Sequence, residues 1–526
     1  MQQQNLLVEY GFRRVIITIT AVIAALLEIV DTTIVNVALN DMKGNLGATL
    51  TEIGWVVTAY AVGNVIVVPM TSWLSQQFGR RNYFAASIMI FTFFSFLCGN
   101  ATGIWELVAF RFCQGLGGGA LLVTSQTIIT ESYPIEKRGM AQAIYGLGVI
   151  IGPTLGPPLG GYIVDNFSWP YIFYINIPIG IIAALLTLQF VKSPKFQEKT
   201  SKRNIDVLGI LLLAIAVGSL QYVLEKGHDD DWFNDNIIIL LSVTAVLGIF
   251  FFIWRELTYK NPIVELRVLK NGNLRIGTIL TFILGFGLYG STFVIPLYTQ
   301  SILGWTAEDA GLLFIPSGIA TAFMMPIIGK LLERGVKQQY LVAGGLLIFF
   351  LYSLWAYKIL TPDTPSEAFW WLLMFRGFGL SMLFIPITTL ALSTLHGQEI
   401  GQGAAFTGMM RQLGGSFGVA IITTYLANKN MTHRVNLISN LSASDPAVQN
   451  RVSMIQHGFM AKGMTPDLAL QSAYQSLDFS VTKQAMVLSY MDVFLFIGVI
   501  FLICVPFVLM IKGNRDKKVD MSAAMH

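Results

Sequence analysis

Charged residues are scarce in this chain of 526 residues. Asp, Glu, Lys and Arg make up 12% of it, whereas hydrophobic residues make up 54%. A soluble domain carries about 25% charged residues, so the composition excludes an ordinary soluble protein. The net charge of +4 gives no basis for binding a polyanion, and we expect no nucleic-acid partner. The lipid bilayer is the expected surrounding.

Motifs of enzymes and ATP-driven pumps are also missing. The three cysteines stand in apolar stretches without CxxC spacing, which argues against a disulfide framework or a metal site. The five His residues show no metal-ligand spacing, no Ser/His/Asp arrangement suggests hydrolysis, and no GxxxxGK[ST] phosphate loop occurs. We therefore expect a protein that is not an enzyme and that uses no metal and no cofactor.

Long apolar stretches are what the chain does contain. A helix needs about 20 apolar residues to cross a bilayer, and fourteen stretches meet that requirement. They predict an all-α polytopic membrane protein in which two six-helix bundles flank two inserted helices. The predicted helices lie near 15–39, 54–74, 83–100, 104–130, 140–163, 171–191, 205–224, 236–254, 274–300, 309–329, 339–360, 369–393, 403–426 and 486–511.

The basic residues orient these helices. Of the 34 Lys and Arg residues, 23 fall in alternate loops on one side of the predicted membrane and 8 on the other. Cytoplasmic loops carry the excess of Lys and Arg, so both termini are predicted to be cytoplasmic. The remaining three, Arg111, Arg376 and Arg411, lie inside apolar stretches.

Three regions follow from this topology. Residues 1–191 are predicted to form the first bundle, 192–270 a basic linker and the inserted pair, and 271–526 the second bundle. Within the last region, 427–484 is predicted to be a long outer loop that folds as a hairpin, with helix-like stretches at 447–462 and 466–483. A weak internal repeat relates the runs around Arg111 and Arg376. Such repeats are common in secondary transporters, which bind substrate at the repeat interface.

Two acids interrupt the first apolar helix. An intramembrane charge is costly and usually faces a cavity on an ion or substrate pathway. Asp31 lies about 12 Å and Arg111 about 10 Å from the outer ends of their helices, at 1.5 Å per residue, so the two can pair. Desolvation disfavours a carboxylate and a nearby Arg favours it. Such opposing effects suit a group that exchanges a proton, although a permanent structural ion pair is the alternative.

Further polar residues are candidates for substrate contact. Glu28 lies three residues before Asp31 on the same helix face, where it can attract a cationic substrate, share the proton, or be an inward-facing residue without a direct role. For Arg376 and Asp492 we predict a structural role in the second bundle, where either residue is a candidate for a structural pair. The candidate substrate-binding residues are Glu28, Asn36, Gln114, Gln126 and Arg411.

The fifth predicted helix is rich in glycine and proline. Small residues at four-residue spacing let another helix approach closely, and proline bends a helix. The pattern predicts a kinked gating surface, with a static packing face as the alternative. Its residues are Gly148, Gly152, Pro153, Gly156, Pro157, Gly160 and Gly161.

With these motifs the chain resembles the major facilitator superfamily, and within it the fourteen-helix drug:proton antiporters of the EmrB/QacA type. Of these two types, it resembles EmrB more. The likeness covers nearly the whole chain. It is carried by residues 30–40 around Asp31, 111–119 from Arg111 onward, the glycine and proline run of the fifth helix, 168–180, 231–233 and the cytoplasmic loop motif Gly79, Arg80 and Arg81.

The resemblance implies a proton-coupled multidrug efflux transporter that exports hydrophobic or cationic toxic compounds by alternating access. It implies Asp31 and Arg111 as proton-coupling residues, the proton gradient as energy source, and a multi-pass position in the bacterial inner membrane. It also implies an EmrA-like periplasmic adaptor and a TolC-like outer-membrane channel as partners. The alternative is a dedicated proton-coupled exporter of one metabolite, such as a siderophore or a fatty acid.

The chain departs from the family pattern at three positions. Asn40 replaces a proline that often ends the first motif, and Ser72 and Gln76 replace a Gly and an Asp in the motif before Arg80. Without an acid at position 76, we expect the loop to lack a charge interaction with the helix bundle.

Overall fold

The computed structural model describes residues 8–193, 206–442 and 444–510, and every regular element in these ranges is helical. The helices are α1 (Gly11–Leu46), α2 (Leu50–Phe78), α3 (Arg80–Gly99), α4 (Ile104–Ser132), α5 (Arg138–Asn166), α6 (Tyr171–Tyr174), α7 (Asn176–Phe190), α8 (Val207–Lys226), α9 (Asn236–Thr258), α10 (Gly272–Ser301), α11 (Ala307–Leu312), α12 (Ile315–Glu333), α13 (Gln338–Ile359), α14 (Ser366–Leu392), α15 (Gln398–Ser439), α16 (Pro446–Met460) and α17 (Pro466–Met510).

The membrane-spanning helices follow the sequence prediction closely. Within the described residues, twelve spans are long and apolar enough to cross a bilayer, with α6 and α7 forming one span and α11 and α12 another. Helix α5 adds a thirteenth, which bends by 41° between Arg138–Pro153 and Leu155–Asn166. Helix α15 covers the remaining predicted segment, 403–426, but glycine and polar residues interrupt its apolar stretch. The predicted all-helical fold is therefore confirmed.

Local sequence signals explain where α2 begins and ends. Thr49 and Glu52 form a capping box, in which the Glu52 N–H donates to Thr49 Oγ1 at 3.2 Å and the Thr49 N–H donates to Glu52 Oε2 at 2.8 Å. Gly79, with φ of +81°, separates α2 from α3, and only glycine adopts that backbone conformation without strain.

Glycines also set the distance between α2 and α4. A Cβ atom on Gly115 would collide with the backbone of Tyr60, and one on Gly119 would collide with the backbone of Asn64. The two helix backbones are therefore in direct contact, as small residues allow in membranes. This contact brings the polar residues of α2 next to those of α4.

Of the inserted pair, α8 and α9, helix α8 bridges the two bundles. On the side of the second bundle, Gln221 of α8 and Ser416 of α15 exchange hydrogen bonds at 3.0 and 3.1 Å, and Trp232 Nε1 donates to Thr424 Oγ1 at 2.9 Å. On the side of the first bundle, the buried Lys226 lies against Gly54 of α2. Helix α8 thus lies along the seam between α2 and α15.

The region predicted as an outer loop, 427–484, consists mostly of helix. Helices α15 and α17 have 42 and 45 residues, about 63 and 68 Å at 1.5 Å per residue, whereas a bilayer core is about 30 Å thick. They continue beyond the membrane and are joined there by Arg434 Nη2, which donates to Asp478 Oδ1 at 2.9 Å. We call residues 427–484 the outer projection. It includes α16, which packs against α17.

Some sequence predictions concern residues outside the described ranges. The basic linker at 192–204 falls almost entirely in the gap between 193 and 206, and both chain termini lie outside as well. The cytoplasmic position of the termini therefore stays a prediction. The end of the bundle that carries Arg80, Arg138 and Arg334 is called the basic end below.

Candidate functional site

Asp31 and Arg111 form an ion pair at the centre of the first bundle. Arg111 Nη1 donates to Asp31 Oδ2 at 2.6 Å, and the two side chains are 1% and 0% exposed. Asp31 is on α1 and Arg111 on α4, so the pair joins two helices that the sequence placed at similar depth. A buried pair is maintained only if hydrogen bonds also satisfy its remaining polar atoms.

Neutral amides supply those hydrogen bonds. Gln114 Nε2 donates to Asp31 Oδ1 at 3.1 Å and Asn176 Nδ2 donates to the same oxygen at 2.9 Å. Both amides also donate to Ser95 Oγ, at 3.2 and 3.0 Å. The Asp31 carboxylate therefore accepts hydrogen bonds from three side chains on α4 and α7, and Ser95 ties α3 to the same cluster.

Arg111 makes further hydrogen bonds besides the one to Asp31. Its Nη1 donates to Gln114 Oε1 at 2.8 Å and its Nε to the Val56 carbonyl at 3.3 Å. The guanidinium lies 4.2 Å from the centre of the Tyr60 ring, a cation–π contact. Arg111 is thus held by α1, α2 and α4 together.

Glu28 belongs to a separate polar group. Asn64 Nδ2 donates to Glu28 Oε1 at 2.7 Å, and the backbone N–H of Leu122 donates to Oε2 at 3.1 Å. Glu28 is 5% exposed. The two acids lie on one helix, as predicted, but each has its own donors, so their carboxylates are not bridged by a shared hydrogen bond.

The other predicted substrate-binding residues do not come together in one place. Asn36 is exposed, Gln114 is committed to the Asp31 cluster, and Gln126 Nε2 donates to Gln142 Oε1 of α5 at 3.1 Å. Arg411 reaches across to the first bundle, where its Nη2 donates to Tyr145 Oη at 3.4 Å.

The predicted pairing of Arg376 or Asp492 within the bundle is wrong for Arg376. Its guanidinium donates to Ser291, Thr292, Ser317 and the Leu288 carbonyl at 2.5 to 3.3 Å, and all of these are neutral acceptors. Asp492 does form a pair in the second bundle, with Lys429 at 3.1 Å, and it also contacts His433 at 3.0 Å; both partners belong to the outer projection. Depth along a helix does not reveal which neighbours a side chain meets, because the rotation of the helix also decides this.

Four glycines of α5 face α1, the helix that carries both acids. A Cβ atom on Gly152 would lie 2.5 Å from Ile29 Cγ2, and one on Gly160 would lie 2.9 Å from Ile34 Cγ1. Gly148 faces Val22 and Leu26, and Gly156 faces Thr33 and Ile34. Gly161 faces Glu308 of α11, and Pro157 lies next to Gly311. Helix α5 therefore connects α1 to the second bundle.

The loop motif after α2 does make a charge interaction, contrary to the expectation from Gln76. Arg80 Nη1 pairs with Glu131 Oε2 of α4, and both residues are buried. The Arg81 N–H donates to Ser193 Oγ at 3.1 Å. Glu131 supplies the negative charge that position 76 lacks, since the basic end of α4 packs beside this turn.

Four residues of the polar clusters were not predicted as site residues from the sequence: Ser95, Asn64, Tyr145 and Asn176. Asn176 appeared there only within 168–180, one of the stretches that carry the family resemblance. Asn64 is an amide within an apolar stretch, a signal that could have identified it. Ser95 and Tyr145 carry no such signal. Within the described residues, no group of three His, Cys, Asp or Glu side chains could hold a metal ion.

Comparisons with known proteins agree with this architecture. The Major Facilitator Superfamily profile matches residues 21–419. The multidrug export protein EmrB of Escherichia coli K12 is 34% identical over 96% of this chain and 96% of its own length. The fatty acid resistance protein FarB of Neisseria gonorrhoeae is 33% identical over 94% of this chain and 96% of its own length.

A solved structure supports the fold alone. The crystal structure of the human organic anion transporter MFSD10 superposes with a TM-score of 0.58 at 13% identity, covering 94% of this chain and 100% of that one. The family match and the extent of the curated relatives decide the classification. The chain belongs to the Major Facilitator Superfamily, as a multi-pass multidrug efflux transporter of the EmrB type rather than an enzyme.

Proposed function

We propose that this transporter exports drugs in exchange for protons, and that Asp31 carries the proton. The observation that supports the proposal is the buried pair of Asp31 and Arg111, whose carboxylate accepts hydrogen bonds from Arg111, Gln114 and Asn176. These donors stabilise the ionised acid in the arrangement seen here. If the donors separate, burial disfavours the charge and the acid takes up a proton.

The packing offers a route from this acid to the rest of the protein. Helix α1 carries Asp31 and lies against the glycine face of α5 at Gly152, Gly156 and Gly160. Helix α5 in turn packs against α11, α12 and α14 of the second bundle. A shift of α1 that follows loss of the Asp31 charge therefore reaches the interface between the bundles, where access alternates.

We further propose that the basic end faces the cytoplasm of a bacterium and that the protein lies in its inner membrane. The excess of Lys and Arg in the loops at that end supports this orientation. At the basic end, Arg138 Nη1 of α5 donates to the carbonyls of Leu392 and Leu395 at 3.2 and 3.4 Å. These bonds hold the two bundles together on the proposed cytoplasmic side.

Transport in proteoliposomes tests the coupling role. With an acidic lumen and ethidium added outside, exchange of one proton per cation accumulates ethidium about 10-fold for each pH unit, because one unit is worth about 1.36 kcal/mol. The lumen becomes more alkaline as protons leave. Asp31→Asn keeps the shape of the side chain and an oxygen that accepts from Arg111, and we expect it to equilibrate ethidium without accumulation or pH change.

The matched control is Asp492→Asn, the same change at an acid that contacts Lys429 and His433 instead. We expect this variant to accumulate ethidium like the unaltered protein. Wild-type accumulation by Asp31→Asn would refute the coupling role. Loss of accumulation in both variants would assign the effect to general damage.

An exporter dedicated to one metabolite is the second candidate. Similarity to the fatty acid resistance protein FarB favours a fatty acid in this role. The broader similarity to multidrug export proteins EmrB and EmrY favours the multidrug function. Drug susceptibility of an exporter-deficient bacterium that expresses the chain, with and without an uncoupler, separates the two.

We also propose an EmrA-like periplasmic adaptor, with a TolC-like channel beyond it, as partners that meet the outer projection. Met431, Val435 and Ile438 are 63%, 65% and 44% exposed, and their spacing places them on one helix face. Val435→Glu is expected to prevent co-purification with the adaptor, whereas Asn436→Glu, on an exposed polar neighbour, is expected to leave it intact. Equal adaptor recovery with both variants would exclude this face.

A further inference from the structure

Arg411 differs from the other two intramembrane arginines in its partners. Arg111 has the Asp31 carboxylate, and Arg376 has four neutral oxygen acceptors. Arg411 is 2% exposed, and within the described residues its Nη1 has no hydrogen-bond partner. A buried guanidinium nitrogen without an acceptor is costly, so a negatively charged partner at this nitrogen would be stabilising.

No acid of the chain fills that role in the described ranges. Glu28 is an acid close enough to Arg411 to interact with it, but its two oxygens accept from Asn64 Nδ2 and the Leu122 N–H. No carboxylate among the described residues forms a salt bridge with Arg411. Its Nη2 donates to the Tyr145 hydroxyl at 3.4 Å, and that hydroxyl itself donates to the Leu122 carbonyl.

The surroundings of Arg411 are aromatic and lie between the two bundles. The guanidinium is 5.6 Å from the centre of the Phe384 ring of α14, and Phe384 is 6.2 Å from the Tyr145 ring of α5. Tyr289 of α10 lies against Gly415, one helical turn after Arg411, and its hydroxyl interacts with Arg411. Tyr145 comes from the first bundle and the other three residues from the second, so the group lies at the repeat interface, where secondary transporters bind substrate.

We infer that Arg411, with the hydroxyls of Tyr145 and Tyr289, binds the anionic head group of amphipathic organic anions, whose apolar or aromatic part contacts Phe384. Arginine offers a planar fork of donors that matches a carboxylate or sulfonate, and the unpartnered Nη1 supplies the free half of that fork. The inference rests on the proposed export function and names a substrate class for it, distinct from the cations that the sequence suggested.

The charge of the substrate then decides what drives its export. For one proton inward per molecule, export of a monovalent anion moves two positive charges inward, whereas export of a monovalent cation moves no net charge. A membrane potential with a negative interior acts on each charge moved. Export of an anion therefore responds to both the membrane potential and the pH difference, whereas export of a cation responds only to the pH difference.

Two aromatic probes of opposite charge test the site. Binding of 1-pyrenesulfonate, a permanent anion, and of ethidium, a permanent cation, is measured by fluorescence anisotropy with the full chain in lipid nanodiscs, against empty nanodiscs. Because a charge-assisted hydrogen bond is worth about 10- to 100-fold in affinity, we expect Arg411→Gln to weaken pyrenesulfonate binding by that factor. The affinity of Arg411→Gln for ethidium should differ by less than about threefold from that of the unaltered protein, which is less than the loss of one such bond would cause.

Matched variants separate recognition from folding. Arg411→Lys keeps the charge and should retain part of the anion affinity, while Tyr145→Phe should lose a smaller part. Arg376→Gln removes another buried arginine of the same bundle and should affect both probes equally. Equal pyrenesulfonate affinity for the unaltered protein and Arg411→Gln, or no binding by either, would overturn the inference. Failure of the unaltered protein to accumulate ethidium against a pH difference would instead overturn the proposed antiport.

Discussion

The pair of Asp31 and Arg111 leads to an asymmetric prediction about stability. The variants are Asp31→Asn, Arg111→Gln and the double substitution. Each side chain is at most 1% exposed, and the closest atoms are 2.6 Å apart. Asp31→Asn leaves a buried guanidinium without its counterion, which typically costs about 3–5 kcal/mol, because arginine cannot lose its proton in a protein.

The reverse change is expected to be milder. After Arg111→Gln, the acid still accepts from Gln114 and Asn176, and it can neutralise itself by taking a proton. We expect a cost of about 1–3 kcal/mol, the penalty for one lost partner of a buried polar group. The double variant contains neither charge, so it should be more stable than Asp31→Asn alone.

The assay is thermal unfolding of purified protein in detergent for all four forms. The expected order of stability is unaltered protein first, then Arg111→Gln and the double variant, with Asp31→Asn last. If the two single losses simply add in the double variant, the charges are not energetically coupled and the reasoning is wrong. The double variant has a second use, since it should be stable yet unable to accumulate ethidium, which separates instability from loss of the proton site.

Three further outcomes are expected. Gly156→Ala should destabilise the protein by about 1–3 kcal/mol through overpacking against Thr33, and it should slow ethidium exchange. The control Gly161→Ala should do neither, because a Cβ atom there would meet its nearest neighbour at 3.4 Å. Unchanged unfolding and transport for both variants would argue against a tight α1–α5 contact. Glu28→Gln should reduce export of cationic substrates more than of neutral ones, measured as efflux rates, and equal loss would exclude a charge-based role. Trp232→Phe should lower stability by about 1 kcal/mol by removing its hydrogen bond to α15, measured by thermal unfolding. No change would mean that this bond does not help to hold the inserted helices against α15.

The sequence by itself determined the helices, the depth of the intramembrane charges and the family. The cost of placing polar backbone and charge in hydrocarbon is local, so apolar length and isolated acids such as Asp31 are directly readable. The glycine spacing of α5 likewise predicted a close helix contact, and its partner is α1. The division of the chain into regions and the roles of the site residues stay predictions.

Only the tertiary structure decided which side chains meet. Asn176 reaches Asp31 across 145 residues of sequence, and Glu131 replaces the missing acid beside Arg80. Arg376 pairs with no acid in the part of the chain that the structure describes. Each result depends on how every helix is rotated and tilted against its neighbours, and one residue of rotation turns a side chain by about 100° in a helix of 3.6 residues per turn. The depth of a residue in the membrane follows from its position within an apolar stretch of the sequence. The direction in which its side chain points depends on helix rotation, which is set by the packing of all the helices together.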